Sequence, residues 1–410
     1  MADRQVIAVL FGGRSVEHDV SILTGLQFLE ALDPERYSGL PVYIDPLGHW
    51  WTGAPLLRRS QYPIKADDPP RGLQRVRPDL ARPAGSRPRL VATRKGLFGT
   101  RETLLPFDLA VPALHGSNGE DGTLQGLLDF ADIPYAGCRT LAAAATMDKA
   151  FFKSICRDGG LTVLPDLVVD RPEHGQFLDP DTVAQTLSDA LGADPYPLIV
   201  KPCNLGSSVG VQRATDRDGL MAALTGVFRL DGRALVEPCV TSLVEYNVAV
   251  RRAPDGRVLT SAIERPLAKG DVLDFANKYR AGGDAGGPKL DGAESEGMAS
   301  LNRELDPESL SDAQARQIRE TAESLFDGLD LAGSVRVDFL ADADSGDLWL
   351  NEVNTCPGSF AYFLWEAAET RTSFLDLTHD LIREGFRLSG KRLGLTDAAA
   401  GGATLFKGRD

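Results

Sequence analysis

The stretch VRVDFLADADSGDLWLNEVNTCPG, residues 335–358, decides how the rest of this chain is read. Two runs of strand-forming residues flank a turn rich in Asp and Gly, the pattern of a β-hairpin. Side chains two residues apart on a strand share a face. Arg336 and Asp338 therefore lie together, as do Glu352 and Asn354. A hairpin centred near Ser345 sets Asp338 opposite Glu352 and Arg336 opposite Asn354. One patch then carries two carboxylates, an amide oxygen and a guanidinium. A few hard oxygen donors suit Mg²⁺, which keeps several waters and takes further oxygens from phosphates. Two such ions clamp a phosphoryl group between attacking and leaving oxygens, and Arg336 would neutralise charge on that group. The bland alternative is a solvated polar face on an edge hairpin. Val335, Val337, Leu350 and Val353 on the other face are apolar enough to be core, which argues against it.

Working outward, VKPCNLGSSVGV at 200–211 runs a lysine out of an apolar strand into a Gly-Ser-Ser loop. Backbone N–H groups in such a loop cradle phosphate oxygens, and glycine permits the close approach. Lys201 would reach the phosphates as a point charge. A plain hairpin turn with an exposed lysine fits the same residues equally well. In LHGSNGEDGTLQGLLDFADIPYAG, 114–137, Glu120 and Asp121 precede an amphipathic helix built on Leu124, Leu127 and Leu128. Helix capping accounts for those acids, and His115 alone reads as structural. GGRSVEHDVS at 12–21 also ends in a helix start, where Glu17 binds an ammonium group or caps the helix. Residues 385–392, GFRLSGKR, resemble a phosphate-binding P-loop, but Arg392 stands where Ser or Thr is needed and the stretch follows a helix. It is rejected as such.

With 410 residues the chain has room for two to three domains. The formal net charge of −14 disfavours a nucleic-acid partner and gives weight to lysines and arginines inside motifs. Five scattered cysteines with no CxxC spacing argue against a disulfide framework or structural zinc and suit a reducing, cytoplasmic setting. No apolar run approaches a membrane span.

The opening VIAVLF at 6–11, the glycines after it and the helical spacing of Val20, Leu23, Leu26 and Leu29 predict strand, turn and helix, the first unit of a doubly wound α/β domain. Strands are expected at LPVYID (40–45) and LAVPALHG (109–116), with an irregular insertion or hairpin over 53–100. TLAAAATMDKAFFKSICRDGG, 140–160, reads as one helix ending at a glycine pair. A second, α+β block runs from about 235 to 385, with strands at ALVEPCV, EYNVAVR, VRVDFL and LWLNEVN. Residues 280–297 read as a mobile loop, and the tail after about 395 as poorly ordered.

The motifs LFGGRSVEHDVS, LHGSNGEDGTLQGLLDFADIPYAGC, MDKAFFK, VKPCNLGSSVGV, the Lys278–Tyr279 pair, VRVDF and NEVNTCPG, in that order, resemble the D-alanine–D-alanine ligases of the ATP-grasp superfamily over roughly residues 5–385. The resemblance implies an ATP-grasp fold, α/β and α+β, in three parts: a Rossmann-like N-terminal domain (1–138), a central lid (139–235) and a C-terminal catalytic part (236–390), followed by a tail (391–410). ATP would lie between the last two. It would be bound with two Mg²⁺ or Mn²⁺ ions on Asp338, Glu352 and Asn354. By matched position Lys149, Lys201 and Ser208 would meet the phosphates, Glu237 and Glu245 the adenosine end, and Lys278 the nucleotide. Glu17, hydrogen-bonded with Ser207 and Tyr279, would hold the first substrate's ammonium group and close the loop over the site. Arg336 and the Gly358 N–H would hold the tetrahedral oxyanion, and His115 and Glu120 become site residues. The implied activity joins two small amino acids through an acyl phosphate for peptidoglycan precursors, in a cytoplasmic homodimer with neither nucleic-acid nor membrane partners.

One segment departs from the pattern. After NTCPG the family continues with a hydroxyl residue that binds the second substrate's carboxylate, and here that position is Phe363. A phenyl ring cannot donate, and a carboxylate left unpaired in a closed site is costly. Ser359 or Tyr362 would have to substitute, or the acceptor is a different amino acid or amine, as in natural-product biosynthesis.

Overall fold

The apolar run at the N-terminus forms strand β1 (Gln5–Gly12), which hands over to helix α1 (His18–Glu30). In this computed structural model residues 4–81, 85–96, 99–174, 176–267 and 302–400 are described. β1 lies parallel to β2 (Tyr37–Ile44) on one side and to Leu109–Pro112 on the other. Such a parallel strand is covered on both faces, which is why Ile7 to Phe11 are buried without alternation. The Pro- and Arg-rich insertion is the hairpin of the two expected alternatives. β3 (Trp50–Thr52), β4 (Gln74–Pro78), β5 (Arg89–Gly96) and β6 (Gly99–Pro106) extend the sheet antiparallel from β2, and β7 (Leu109–Pro112) closes the other edge. Helix α2 (Thr123–Phe130) follows.

The stretch 140–160 is two helices, α3 (Thr140–Met147) and α4 (Lys149–Asp158), rather than the single one expected. Asp148 has an extended ψ of 103° and its carboxylate accepts the Phe151 N–H at 3.0 Å. An aspartate at that position caps a new helix more favourably than it continues an old one. The break sets Lys149 at the start of α4.

β8 (Leu167–Asp170), helix α5 (Pro180–Leu191), β9 (Leu198–Pro202), β10 (Gln212–Ala214), helix α6 (Arg217–Val227) and β11 (Arg233–Pro238) make the next unit. Its sheet order is β10-β9-β11-β8. β11 was expected in the C-terminal block from residue 235. It pairs instead with β9 and β8, so the passage between sheets falls after Pro238.

The last sheet contains β12 (Leu243–Arg252), β13 (Val258–Pro266), β14 (Arg303–Leu305), β15 (Val335–Asp342) and β16 (Leu348–Asn354), in the order β14-β13-β12-β15-β16. Helix α7 (Asp312–Gly328) covers one face of it. Ile318, Leu325 and Phe326 pack there against Tyr246, Val248, Val250, Val335, Val337 and Phe339. Those strand residues alternate with Glu245, Asn247, Arg336 and Asp338, which turn to the opposite face. Helices α8 (Tyr362–Ala367) and α9 (Phe374–Ala400) end the described chain, and α9 runs through residues 391–400, where a tail was expected. Phe360, Leu364, Trp365 and Leu377 share a core with Phe11, Leu26 and Phe28 of the N-terminal unit. This shared core brings the chain's two ends together around the polar face of the last sheet.

Candidate active site

β15 and β16 pair in the register read from the sequence, with Arg336 opposite Asn354 and Asp338 opposite Glu352. The Arg336 guanidinium donates from Nε and Nη2 to the two Asp338 carboxylate oxygens, each at 2.7 Å. Asn354 Nδ2 donates to the same carboxylate at 2.9 Å. Arg336 and Asp338 are each only 7% exposed, so this is a built polar cluster rather than a solvated edge. Below Asp338 the register slips: Phe339 faces Leu350, and Asn351 is the extra residue of a β-bulge. A bulge re-aims a side chain. Here it brings Asn351 to Lys201, whose Nζ donates to its Oδ1 at 3.3 Å.

The two motif lysines converge on this patch from the neighbouring unit. Lys149, at the start of α4, donates from Nζ to the Leu205 carbonyl in the Gly-Ser loop at 2.7 Å, and lies 3.3 Å from Glu352 Oε2. Lys201, at the end of β9, lies 2.6 Å from Glu237 Oε2. Glu237 is 3% exposed and also receives a short contact from Lys153 Nζ, which in turn lies 3.3 Å from Asp166. Burial pushes the Glu237 carboxyl up, but Lys201 and Lys153 outweigh it and hold the group below its usual range. Burial likewise pulls the Lys201 ammonium down, and Glu237 outweighs that too. Both stay charged, so Glu237 serves to anchor Lys201. Lys153 escaped the sequence reading. It sits four residues after Lys149 in the same motif, one helical turn on, and that spacing was the available signal.

The N-terminal unit closes the third side. Glu17, 6% exposed, accepts a short hydrogen bond from the Ser207 hydroxyl. Gly116 makes room for that carboxylate: at φ +69° it holds a conformation glycine tolerates, and a Cβ there would lie 2.4 Å from Glu17 Oε2. Ser207 and Ser208 both hold left-handed backbone angles, φ 52° and 57°, which shape the loop over the site. Glu120 ties two loops together by accepting the Gly116 N–H at 2.7 Å and the Cys356 N–H at 3.0 Å. Burial and the nearby Glu17 carboxylate push the Glu120 carboxyl up to about 8. Its part is therefore bridging the Gly116 and Cys356 loops.

Sequence comparison adds to this geometry. The family description "D-ala D-ala ligase N-terminus" matches residues 6–138, and "D-ala D-ala ligase C-terminus" matches residues 155–383. The chain belongs to the D-ala D-ala ligase family. A D-alanine–D-alanine ligase of Heliobacterium modesticaldum is 35% identical over 404 residues, covering 95% of this chain and 99% of the relative. Another, of Methylobacterium sp., is 38% identical over 371 residues, covering 89% and 87%. The solved D-alanine–D-alanine ligase of Coxiella burnetii shares the fold, with a TM-score of 0.74 at 24% identity over 98% of this chain and 99% of that one.

In this ligase-family chain the remaining expected site residues have surroundings of their own. Ser359 is 2% exposed, and its hydroxyl donates to Gln27, so it fastens α1 to the turn after Pro357. Gly358 opens that turn, in which Ser359, Phe360 and Ala361 all have φ near +54°. Tyr362 stacks on Phe374 with ring centroids 4.4 Å apart. Phe363 carries the Arg303 guanidinium over its ring at 3.9 Å. Glu245 lies on the polar face of β12, two residues before Asn247. Lys278 and Tyr279, with the loop expected at 280–297, lie outside the described residues.

His115, 4% exposed, lies with Nε2 2.8 Å from Thr24 Oγ1, which also accepts the Ser359 N–H at 3.1 Å. A neutral ring with a bare Nε2 suits this arrangement. Burial pulls its pKa down to about 4, opposed by a hydrogen bond at Cys356 and helped by the Arg336 charge. The unfolded ring titrates near 6.5. Between about pH 6.5 and 4 the unfolded chain therefore binds a proton the fold refuses, and stability falls as pH falls. His115→Asn removes this dependence. The melting-temperature advantage of the wild type over the variant shrinks as pH drops from about 7 to 4.5, and a pH-independent gap contradicts the assignment.

Proposed function

We propose that this protein is an ATP-dependent carboxylate–amine ligase that joins two amino acids through an acyl phosphate, with D-alanyl-D-alanine for peptidoglycan precursors as the first-choice product. The observation that carries this reading is the register of Arg336, Asp338, Glu352 and Asn354, with Lys149 and Lys201 brought over them from the neighbouring sheet. The curated relatives named D-alanine–D-alanine ligase support the choice of substrate.

The donor set fits a divalent cation. Asp338 and Glu352 are paired hard oxygen donors with Asn354 beside them. Among the described residues no group of three or more His, Cys, Asp or Glu forms a closed metal cage. An ion held here completes its shell with waters and phosphate oxygens, as Mg²⁺ does. When bound, it would screen the phosphate charge. The chain's own residues do the rest. Lys149 and Lys201 hold the phosphate chain, and Glu237 with Lys153 keeps Lys201 aimed. Glu17 holds the ammonium group of the first amino acid, whose carboxylate oxygen attacks the γ-phosphorus as ADP leaves. Arg336 stabilises charge on the transferring phosphoryl group, then with the Gly358 N–H on the oxyanion formed when the second amine attacks the acyl carbon. Phosphate departs with the original carboxylate oxygen. Ser207, on Glu17, keeps the loop closed so that water does not reach the acyl phosphate.

The purified protein with Mg·ATP and D-alanine as the only amino acid tests this. ADP, phosphate and D-alanyl-D-alanine, identified by mass, are expected in equal amounts. A second reading keeps the chemistry and changes the acceptor. It is favoured by Phe363 standing where the family resemblance calls for a hydroxyl. ADP that stays flat with D-alanine and rises when another amino acid or amine is added selects it.

A further inference from the structure

Charge is unevenly spread along this chain. Residues 53–106 carry twelve of its 44 Lys and Arg but only four of its 58 Asp and Glu, a formal +8 in a protein whose total is −14, so the rest stands at −22. This segment is the insertion that builds β4, β5 and β6, and β6 is the outer strand of the seven-stranded sheet, at the end away from β1 and β7. Facing residues on neighbouring strands share a side of the sheet. Arg75 faces Trp51, and Arg77, two residues on, faces Val91, which faces Leu104. The chain from 54 to 73 covers this same side, because Leu56, Ile64 and Leu73 share a core with Trp51 and Tyr43. Arg58, Lys65, Arg71 and Arg75 are exposed, and among the described residues none of the four pairs with an acid. Arg77, Arg87 and Arg89 have acids beside them, Glu102, Asp108 and Asp79. Leu57, next to Arg58, and Leu104, in the row of Arg77, are 52% and 49% exposed.

We propose that this basic side of the insertion is a docking surface for an anionic lipid membrane, with Leu57 and Leu104 entering the headgroup layer between the cations. The family resemblance implied no membrane partner, and the total charge conceals the surface that takes one. The proposal is independent of the ligase chemistry. Acidic headgroups draw in a cluster of Lys and Arg, and the pull fades within a Debye length of about 8–10 Å. Neighbouring strands are about 4.8 Å apart, so β4 to β6 stand on the order of 10 to 20 Å outside β2. The acids beyond β2 are then largely screened from a surface that meets the insertion. Aliphatic side chains beside basic ones suit the boundary between headgroups and acyl chains. A groove for single-stranded nucleic acid instead adds exposed aromatic rings on which bases stack, and on this side Trp51 and Tyr43 are buried in the core. β1 and β7, which lead into Glu17 and His115, are at the other end of the strand order, so docking and ligation separate in a variant.

The whole chain is sedimented with sucrose-loaded vesicles of phosphatidylcholine alone and of phosphatidylcholine with about one-third phosphatidylglycerol, at about 0.1 M salt. The wild type is expected to pellet with the anionic vesicles, to stay in solution with the neutral ones, and to be released as salt rises to about 0.5 M. Each basic residue at such a surface contributes about fivefold in binding, so Arg58→Glu with Arg71→Glu and Arg75→Glu lowers it by about 100-fold or more. ADP release by that variant matches wild type. Leu57→Gln with Leu104→Gln is expected to lower vesicle binding about tenfold with the charge intact. A wild type that ignores the anionic vesicles, or pellets equally with both kinds, overturns the proposal without any variant, so a poorly folding triple variant leaves it falsifiable. Unchanged binding in a folded triple variant overturns it as well. Leucine substitutions that leave vesicle binding untouched, together with equal affinity for a single-stranded RNA, assign the surface to nucleic acid and overturn the lipid reading.

Discussion

Arg336→Ala stops ADP formation. The guanidinium lies in the middle of the polar face, locked to Asp338 by two hydrogen bonds and beside Glu352 and Asn354 across the hairpin. In the proposed reaction it meets charge that exists only in the transition states, on the transferring phosphoryl group and then on the oxyanion, so its loss falls on kcat. Arginines in such positions contribute about 10³-fold or more, and a drop of that size in steady-state ADP release is expected. The fold survives, because the buried core of β15 is made by Val335, Val337 and Phe339 on the opposite face. Asp338 keeps the Asn354 donor. Far-UV circular dichroism and a cooperative melt check the fold. Turnover within about tenfold of wild type in a folded variant removes Arg336 from the chemistry.

Glu352→Gln is the second large effect. The substitution keeps shape and removes one charge from the pair in register, and with it the partner of Lys149 at 3.3 Å. A neutral amide is a poorer ligand for a hard cation than a carboxylate. Activity at ordinary Mg²⁺ should fall by about 10²-fold or more, with part of it recovered as Mg²⁺ is raised. A pure charge effect on folding gives no such recovery. The side chain is 24% exposed, so stability changes little. An unaltered Mg²⁺ dependence with full activity contradicts its role as a ligand.

The parts of the site legible in the sequence are those that follow from strand periodicity. Alternation in 335–342 and 348–354, with a turn at Ser345 between, fixes the facing pairs because a slip of one residue would bury the acids. Asn351 was not legible. The bulge that turns it to Lys201 adds one residue to one strand, and nothing in LWLNEVN says where that residue goes. The break at Asp148 was readable as a cap but was outweighed by the helix formers on both sides. Arg303 was invisible for another reason. Its contacts are with Glu264 and Phe363, 39 and 60 residues away in sequence, and no local pattern joins them. The Ser359–Gln27 contact was not legible either, because nothing after NTCPG announces the run of left-handed residues that turns the hydroxyl to Gln27.

The acyl phosphate is the intermediate on which the proposed reaction turns, and oxygen transfer reports on it. The first amino acid is supplied with ¹⁸O in its carboxylate, with Mg·ATP and the acceptor, and the released inorganic phosphate is examined by mass. One ¹⁸O atom per phosphate is expected, because the carboxylate oxygen that attacks the γ-phosphorus leaves with it when the amine takes the acyl carbon. Product formed with unlabelled phosphate contradicts that route, and with it the roles given to Arg336, Lys149 and Lys201.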